Sequence, residues 1–147
     1  MCYNKENQER KILMKIRLAE TADYKRIAMA LRNKHIDYIT PAHAREDIAN
    51  NRLYVVEENG MIIAQCALVE EPAHHYHAIK RLVIYNRKNC GRGIAQRFIR
   101  YFCAMNLPAL GCTPWSDNQT MKHLLSRNGF EYQYTFLNCY EFFVKRA

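Results

Sequence analysis

The stretch of sequence that most clearly indicates a chemical role is a glycine-rich turn at residues 90–95, which reads CGRGIA. A short apolar run at residues 82–85 precedes the turn, and Phe98, Ile99 and Phe102 follow it with the spacing of one helix face. A strand, a glycine turn and a helix in this order suit phosphate binding, because the first N–H groups of a helix are unpaired and glycine lets a ligand approach the backbone. We therefore predict that this turn binds a phosphate group.

The charges of the chain are unevenly placed around this turn, and the formal net charge is +8. No acidic residue lies between Glu71 and Asp117. The same segment carries a dense group of cations: Lys80, Arg81, Arg87, Lys88, Arg92, Arg97 and Arg100. Such a segment attracts a polyanion. Three interpretations stay open on this basis alone, namely a phosphorylated cofactor, a nucleic acid and a solvated basic face.

Length and composition predict one domain at residues 14–147, preceded by a flexible polar leader at residues 1–13. A chain of 147 residues with 49% hydrophobic residues can bury a core of its own. Its apolar runs are shorter than the roughly 20 residues of a membrane span, and its first residues are too polar for a signal peptide. We therefore expect a cytoplasmic protein without a membrane partner.

The cysteines and histidines do not predict a metal site. Six cysteines, at positions 2, 66, 90, 103, 112 and 139, show no CxxC pair and no metal-like spacing with histidine. In a chain without an export signal we expect reduced thiols, several of them as small core residues. The adjacent histidines at positions 74 and 75 would point to opposite faces of a strand. No metal is expected.

The order of the predicted elements alternates helices with mostly antiparallel strands. Strands are predicted at residues 15–18, 53–57, 61–70, 76–85, 109–113, 131–136 and 139–145. Helices are predicted at residues 21–34, 41–50 and 94–105, and from residue 118 to residue 128. Local turn and cap signals fix several of these boundaries: Thr21, Thr40-Pro41, Asn59-Gly60, Asp117 or Asn118, and Gly129.

Two familiar phosphate motifs do not fit the turn. A dinucleotide-binding Rossmann fingerprint needs a third glycine where this chain has Gln96, and an acidic residue about 20 positions later. A Walker loop needs Gly-Lys-Ser/Thr, which is absent. The sequence GxG alone is weak evidence, so the surrounding elements decide the assignment.

In the order of its elements the chain resembles the GNAT superfamily of N-acetyltransferases, from about Met14 onwards. The family pattern (R/Q)xxGx(G/A) lies between the fourth strand and the third helix, and Cys90, Gly93 and Ala95 fall on its three defined positions. The later helix matches a second family motif at Asn118 and Gly129-Phe130. The resemblance implies an α/β (α+β) fold, with a mixed, mostly antiparallel sheet of six to seven strands flanked by about four helices.

Two positions depart from the family pattern. Cys90 stands where the family usually has arginine or glutamine, which removes one side-chain contact to a pyrophosphate, and Arg92 or Lys88 could substitute. Leu125 stands where the family often has a tyrosine that acts as general acid toward the leaving thiolate. The resemblance therefore supports cofactor binding more strongly than it identifies the acid.

The resemblance implies acetyl-CoA as the co-substrate. The pyrophosphate would lie on the turn, and the pantetheine arm would hydrogen-bond the preceding strand like an added strand. The implied cofactor-binding residues are Val83, Ile84, Tyr85, Cys90, Gly91, Arg92, Gly93, Ile94, Ala95, Gln96 and Asn118. Candidates for contacting the 3′-phosphate are Lys80, Arg87 and Lys88.

Candidates for proton transfer are few. His77 shares a strand face with Ile79, Arg81, Val83 and Tyr85 when the strand is counted by twos, which makes it a candidate base, although an ordinary surface histidine is the simpler explanation. Glu70 is the second candidate base, with solvation at the end of a hairpin as the alternative. Further candidates have weaker support: Tyr140 and Tyr134 as acids, Trp115 as a pocket wall, Asp37 and Tyr38 for acceptor recognition, and Cys90 as a reactive thiol.

The sequence thus predicts an N-acetyltransferase that moves the acetyl group of acetyl-CoA directly to a primary amine of a small molecule, a peptide or a protein. A noncatalytic CoA-binding sensor or partner module with the same fold is the alternative, because Leu125 replaces the tyrosine and the base is not defined. A basic domain that binds nucleic acid is a third hypothesis. An isolated strand edge would also allow a homodimer.

Overall fold

A computed structural model describes residues 14–34 and 38–147. The predicted leader and Asp37, one of the two residues considered for acceptor recognition, lie outside the described residues. Within them the helices are α1 (Tyr24–Lys34), α2 (Pro41–Ala49), α3 (Ile94–Cys103) and α4 (Gln119–Arg127). The strands are β1 (Met14–Leu18), β2 (Leu53–Glu58), β3 (Met61–Glu71), β4 (Tyr76–Ile84), β5 (Ala109–Cys112), β6 (Glu131–Phe136) and β7 (Tyr140–Arg146).

The strands form one seven-stranded sheet in the order β1-β2-β3-β4-β5-β7-β6. Pairing is antiparallel between β1 and β2, between β5 and β7, and between β6 and β7, whereas β4 and β5 run parallel. The parallel pair follows from the chain path, because α3 carries the chain back to the starting end of β4 before β5 begins. The predicted mixed, mostly antiparallel sheet with about four helices is confirmed.

The described chain divides into two compact units. Among the described residues, the first unit contains residues 14–34, 38–66 and 81–94, and thus α1, α2, the β2–β3 hairpin and the glycine turn. Its core is apolar and closed to solvent at Ile27, Leu31, Leu53, Val55 and Val56. The hairpin turns at Asn59 and Gly60, with φ of 52° and 78°, which is the left-handed pair that the Asn-Gly signal predicts.

The second unit contains residues 67–80 and 95–147, and thus most of α3, α4 and the strands β5, β6 and β7. Phe98, Ile99 and Phe102 on α3 are completely buried, as their spacing predicts. Helix α4 ends as predicted, with Gly129 at φ 88° and the Phe130 N–H donating to the Leu125 carbonyl over 3.0 Å.

Some predicted boundaries are wrong in detail. Thr21 does not cap α1, because residues 21–23 form a 3-10 turn whose cap is Glu20, with Asp23 bonding back to the Glu20 N–H. Of the two candidate caps of α4, Asn118 is the one used. Thr40 caps α2 as predicted. Within the described residues, no helix is both long enough and apolar enough to cross a membrane.

Candidate functional site

The glycine turn of the first unit has the backbone that its sequence predicts. Gly91 and Gly93 both have positive φ, of 82° and 74°, and α3 starts directly after them at Ile94. A Cβ placed on either glycine would meet nothing within 4 Å, so the space in front of the turn is open. Glycine is needed here for the left-handed backbone, and the open space allows a ligand to approach the N–H groups at the start of α3.

The side chain of Arg92 holds the glycine turn to the β2–β3 hairpin. Its guanidinium donates to both carboxylate oxygens of Glu58, one of them at 3.0 Å, and to the side-chain oxygen of buried Asn89 at 2.9 Å. The hydrogen bond with Glu58 raises the pKa of Arg92 above its usual range. Arg92 must therefore release Glu58 and Asn89 before it can make the pyrophosphate contact of the arginine or glutamine that Cys90 replaces. Lys88 is exposed, and its ammonium has no ion-pair partner in the described part of the chain.

The strand that leads into the turn offers a backbone edge to an extended ligand. The β4–β5 pairing joins residues 77–79 to residues 110–112, whereas β4 itself continues to Ile84. The N–H of Tyr85 donates to the Ile63 carbonyl over 3.0 Å, so this N–H is not available to a ligand. Since backbone groups alternate along a strand, Ile84 is the residue best placed to bond a pantetheine arm.

Arg81 interrupts β4 with a positive φ of 51°, which is unusual for a non-glycine residue in a strand. Two hydrogen bonds of 2.7 Å tie its guanidinium to the Asp47 carboxylate, and Gln65 donates to its carbonyl over 3.3 Å. Asp47 and Gln65 are each only 1% exposed. The prediction that His77 and Val83 share one face of the strand therefore does not hold, because the left-handed backbone of Arg81 breaks the alternation of side chains between them.

Gln65 links this irregular residue to the end of β4. Its amide oxygen accepts a hydrogen bond from the Tyr85 hydroxyl over 2.7 Å, while its nitrogen donates to Arg81. Burial of the ring, with a smaller contribution from the charge of Asp23, raises the pKa of Tyr85 above its usual range. Tyr85 thus stays neutral and fixes the strand, and it is not an acid at neutral pH.

The two candidate bases share one pocket of the second unit. Glu70 and His77 line a cavity of about 370 Å³, together with Glu71, Pro72, His75, Tyr76, Pro108 and Ala109. Glu70 is exposed and His77 is half-buried. Burial first, and then the charge of Glu71, raises the pKa of the Tyr76 hydroxyl. The pocket therefore brings carboxylate and imidazole proton acceptors together beside a neutral phenol.

The wall of this pocket depends on a glycine in β5. The Tyr76 ring lies so close to Gly111 that a Cβ placed there would be 2.6 Å from two of its ring carbons. Lys80, a predicted contact of the 3′-phosphate, forms an ion pair of 2.9 Å with Glu71. The sequence showed neither relationship, because both join residues that no local pattern connects.

The candidate acid Tyr140 lies in a group of aromatic side chains. Its ring centroid is 4.5 Å from that of Trp115 and 5.3 Å from that of Phe136. Trp115 is 45% exposed, so it is not a core residue. Tyr134 is 55% exposed and contacts Phe136 and Phe142. Leu125, in contrast, is completely buried, so α4 presents no acid at that position.

Asn118 caps α4, where its side-chain oxygen accepts a hydrogen bond from the Met121 N–H over 3.1 Å. The cap does not use its NH₂ group, which is the part that a carbonyl of an extended ligand would meet. Cys90 is exposed, whereas burial raises the pKa of the Cys112 thiol to about 12 and keeps it protonated. Among the described residues, no group of three or more His, Cys, Asp or Glu side chains is arranged to hold a metal ion.

Solved structures with this fold are numerous, although no protein-family model and no curated protein matches the sequence. A GNAT-family acetyltransferase from Streptococcus agalactiae superposes with a TM-score of 0.77 at 20% identity, covering 91% of this chain and 95% of that one. One from Bacillus cereus gives 0.76 at 14% identity, covering 91% and 97%. The ribosomal-protein-S5-alanine acetyltransferase from Vibrio fischeri gives 0.69 at 18% identity, covering 91% and 93%.

These superpositions show that the chain has the GNAT fold, as the order of its motifs predicts. The likeness extends over about nine tenths of the chain. The glycine turn, the β4 edge and the cap of α4 are therefore elements of a recognised fold.

Proposed function

We propose that this chain is an N-acetyltransferase that transfers the acetyl group of acetyl-CoA directly to a primary amine. The observation that carries the proposal is the glycine turn, where Gly91 and Gly93 have left-handed backbones and α3 begins in open space. The GNAT-family names of the structures with this fold support the same assignment. The predicted enzyme class follows from these two facts together.

The residues of the turn suit the pyrophosphate of acetyl-CoA. The N–H groups of residues 91–96 would bind it, with the positive end of the α3 dipole behind them. The N–H groups of Gly91, Arg92 and Gly93 donate to no other described residue, so they are available. Ile84 would bond the pantetheine arm, and Arg87 and Lys88 would attract the 3′-phosphate. When bound, acetyl-CoA supplies the activated acetyl group as a thioester.

The amine must lose a proton during the transfer. A lysine-like amine with a pKa near 10.4 loses its proton at pH 7 at a cost of about 4.6 kcal/mol, while alignment of the reactants supplies roughly 7–11 kcal/mol. A dedicated base is therefore helpful but not obligatory. His77 and Glu70 are the proposed candidates because they line the same pocket. Tyr140 remains the proposed acid toward the leaving thiolate.

We propose a small-molecule, peptide or protein amine as the acceptor. Two structures with this fold are named for alanine residues of ribosomal proteins, S5 in Vibrio fischeri and S18 in Escherichia coli, so peptides that begin with alanine belong in the first screen. Free lysine and small diamines complete it. Mass spectrometry of each acceptor detects the added acetyl group without interference from the exposed thiol of Cys90.

One experiment separates binding from catalysis. Acetyl-CoA at 100 times its Kd adds about 2.7 kcal/mol to the free energy of unfolding, which raises the Tm by several degrees. An unchanged Tm at millimolar acetyl-CoA would reject the proposal. A raised Tm without acetylation of any acceptor would favour the noncatalytic CoA-binding alternative, which Leu125 motivates.

A further inference from the structure

A second cavity lies in the first unit, between α1, the tip of the β2–β3 hairpin and the segment that follows β4. Its volume is about 510 Å³, within the range of pockets that hold small organic molecules. We call it the methionine pocket, and the residues that matter in its wall are Met29, Asn33, Met61, Ile62, Asn86 and Lys88. The proposed acetyl transfer uses neither its methionines nor its helix α1.

The two methionines of the methionine pocket are largely exposed to solvent. Met29 on α1 is 63% exposed and Met61 at the start of β3 is 67% exposed. Long apolar side chains from two separate elements thus face solvent around one cavity. Methionine is flexible and polarisable, so such walls adapt to flat or irregular apolar molecules. A ligand of this pocket therefore needs an apolar part that can pack against the two methionines.

The charges in the wall favour an anionic occupant. The Glu58 carboxylate is already bonded by Arg92, and the Arg26 guanidinium is bonded to Asp23 at 2.8 Å and to the Gly60 carbonyl at 2.9 Å. The Lys88 ammonium, in contrast, has no ion-pair partner among residues 14–34 and 38–147. An anionic group on the ligand gives this ammonium its counter-charge.

We infer that the methionine pocket binds a small organic anion with a flat apolar body, such as an aromatic carboxylate or sulfonate. The apolar body lies against Met29, Met61 and Ile62, and the anionic group meets Lys88. The side-chain amides of Asn33 and Asn86 donate to its remaining oxygens.

The methionine pocket is also connected to the glycine turn. Glu58 and Asn89 line the pocket, and both accept hydrogen bonds from Arg92 of the turn. Lys88 in turn is one of the cations proposed to attract the phosphates of acetyl-CoA. Occupation of the pocket therefore weakens the binding of acetyl-CoA, and this link rests on the proposed function.

The probe that fits this description is 8-anilinonaphthalene-1-sulfonate, whose fluorescence rises in apolar surroundings. It should bind the folded protein at one site. Lys88→Glu and Met61→Glu should each weaken this binding by about tenfold, because they reverse the charge or make the wall polar. Two exposed residues outside the pocket provide matched controls, and Lys25→Glu and Leu137→Glu should leave dye binding unchanged. Equal binding by all four variants would overturn the assignment.

A second titration tests the link between the two sites. Saturating acetyl-CoA should weaken dye binding by about fivefold and then have no further effect, as expected for two linked sites. Complete displacement of the dye would mean that the cavity belongs to the cofactor site, and an unchanged affinity would mean that the sites are independent. Either result overturns the link. If acetyl-CoA itself fails to raise the Tm, the proposed function fails, while the four variants still decide whether the pocket binds the dye.

Discussion

The guanidinium of Arg81 and the carboxylate of Asp47 form two parallel hydrogen bonds of 2.7 Å, which connect the irregular residue of β4 to helix α2. Asp47 also accepts a hydrogen bond of 2.7 Å from Arg52. One buried carboxylate thus balances two arginines and holds a backbone conformation that an arginine rarely adopts. This arrangement sets the path of β4 just before the proposed pantetheine edge.

Asp47→Asn should therefore lower the free energy of unfolding by about 3 kcal/mol, because it leaves the partly buried Arg81 without its counter-charge and Arg52 with only the exposed carboxylate of Glu46. Urea unfolding measures this change. Glu46→Gln is the matched control, since the Glu46 side chain is 66% exposed and lies 3.4 Å from the same Arg52. The control should change stability by less than about 0.5 kcal/mol. Equal effects of the two substitutions would contradict the role given to Asp47.

Gly93→Ala should weaken the binding of acetyl-CoA by about tenfold, because its Cβ would occupy the open space where the pyrophosphate approaches the turn. Gly60→Ala is the matched control, since Gly60 has φ of 78° and also nothing within 4 Å of a Cβ. Both substitutions should cost about 1–2 kcal/mol of stability through the left-handed backbone. Calorimetric titration measures the affinity of each variant for acetyl-CoA, and only Gly93→Ala should bind it more weakly than the natural chain. Equal affinity of the two variants would count against a phosphate site at the turn.

The sequence predicted the parts of this fold that local turn chemistry determines. Asn59-Gly60, Thr40 and Gly129 each impose a backbone conformation on their immediate neighbours, and all three predictions are confirmed. The pairs Arg81–Asp47 and Arg92–Glu58 each join residues 34 positions apart, and no local pattern marks them. Arg81 also has a positive φ, for which arginine gives no signal. The conformation of the glycine turn was predictable, therefore, and the side chains that hold it and β4 in place were not.

Gly111→Ala should lower the free energy of unfolding by about 1–3 kcal/mol, because the new Cβ would overlap the Tyr76 ring and also lie 3.1 Å from Phe142. The double variant Gly111→Ala/Tyr76→Ala tests this cause. Adding the glycine substitution to a Tyr76→Ala background should cost much less than adding it to the natural chain, since the overlapping ring is then absent. Strictly additive losses would show that Tyr76 is not what excludes a side chain at position 111.

Asp23 makes the stability of the first unit sensitive to acid. The Arg17 guanidinium donates to its carboxylate at 2.7 and 3.0 Å and lowers the pKa of Asp23 to about 2, from an ordinary value of 3.8. Since the folded-state pKa is the lower one, the stabilisation is complete above about pH 4 and is lost as the pH falls toward 2. At pH 7, Asp23→Asn should therefore lower the free energy of unfolding by about 2 kcal/mol.

Urea unfolding between pH 7 and pH 2 tests this expectation, because the difference in stability between Asp23→Asn and the natural chain should shrink as the pH falls. Asp117→Asn, at an exposed position, is the control and should stay close to the natural chain throughout. A loss for Asp23→Asn that is the same at every pH would mean that the variant disturbs packing and that the ion pair with Arg17 does not explain its effect.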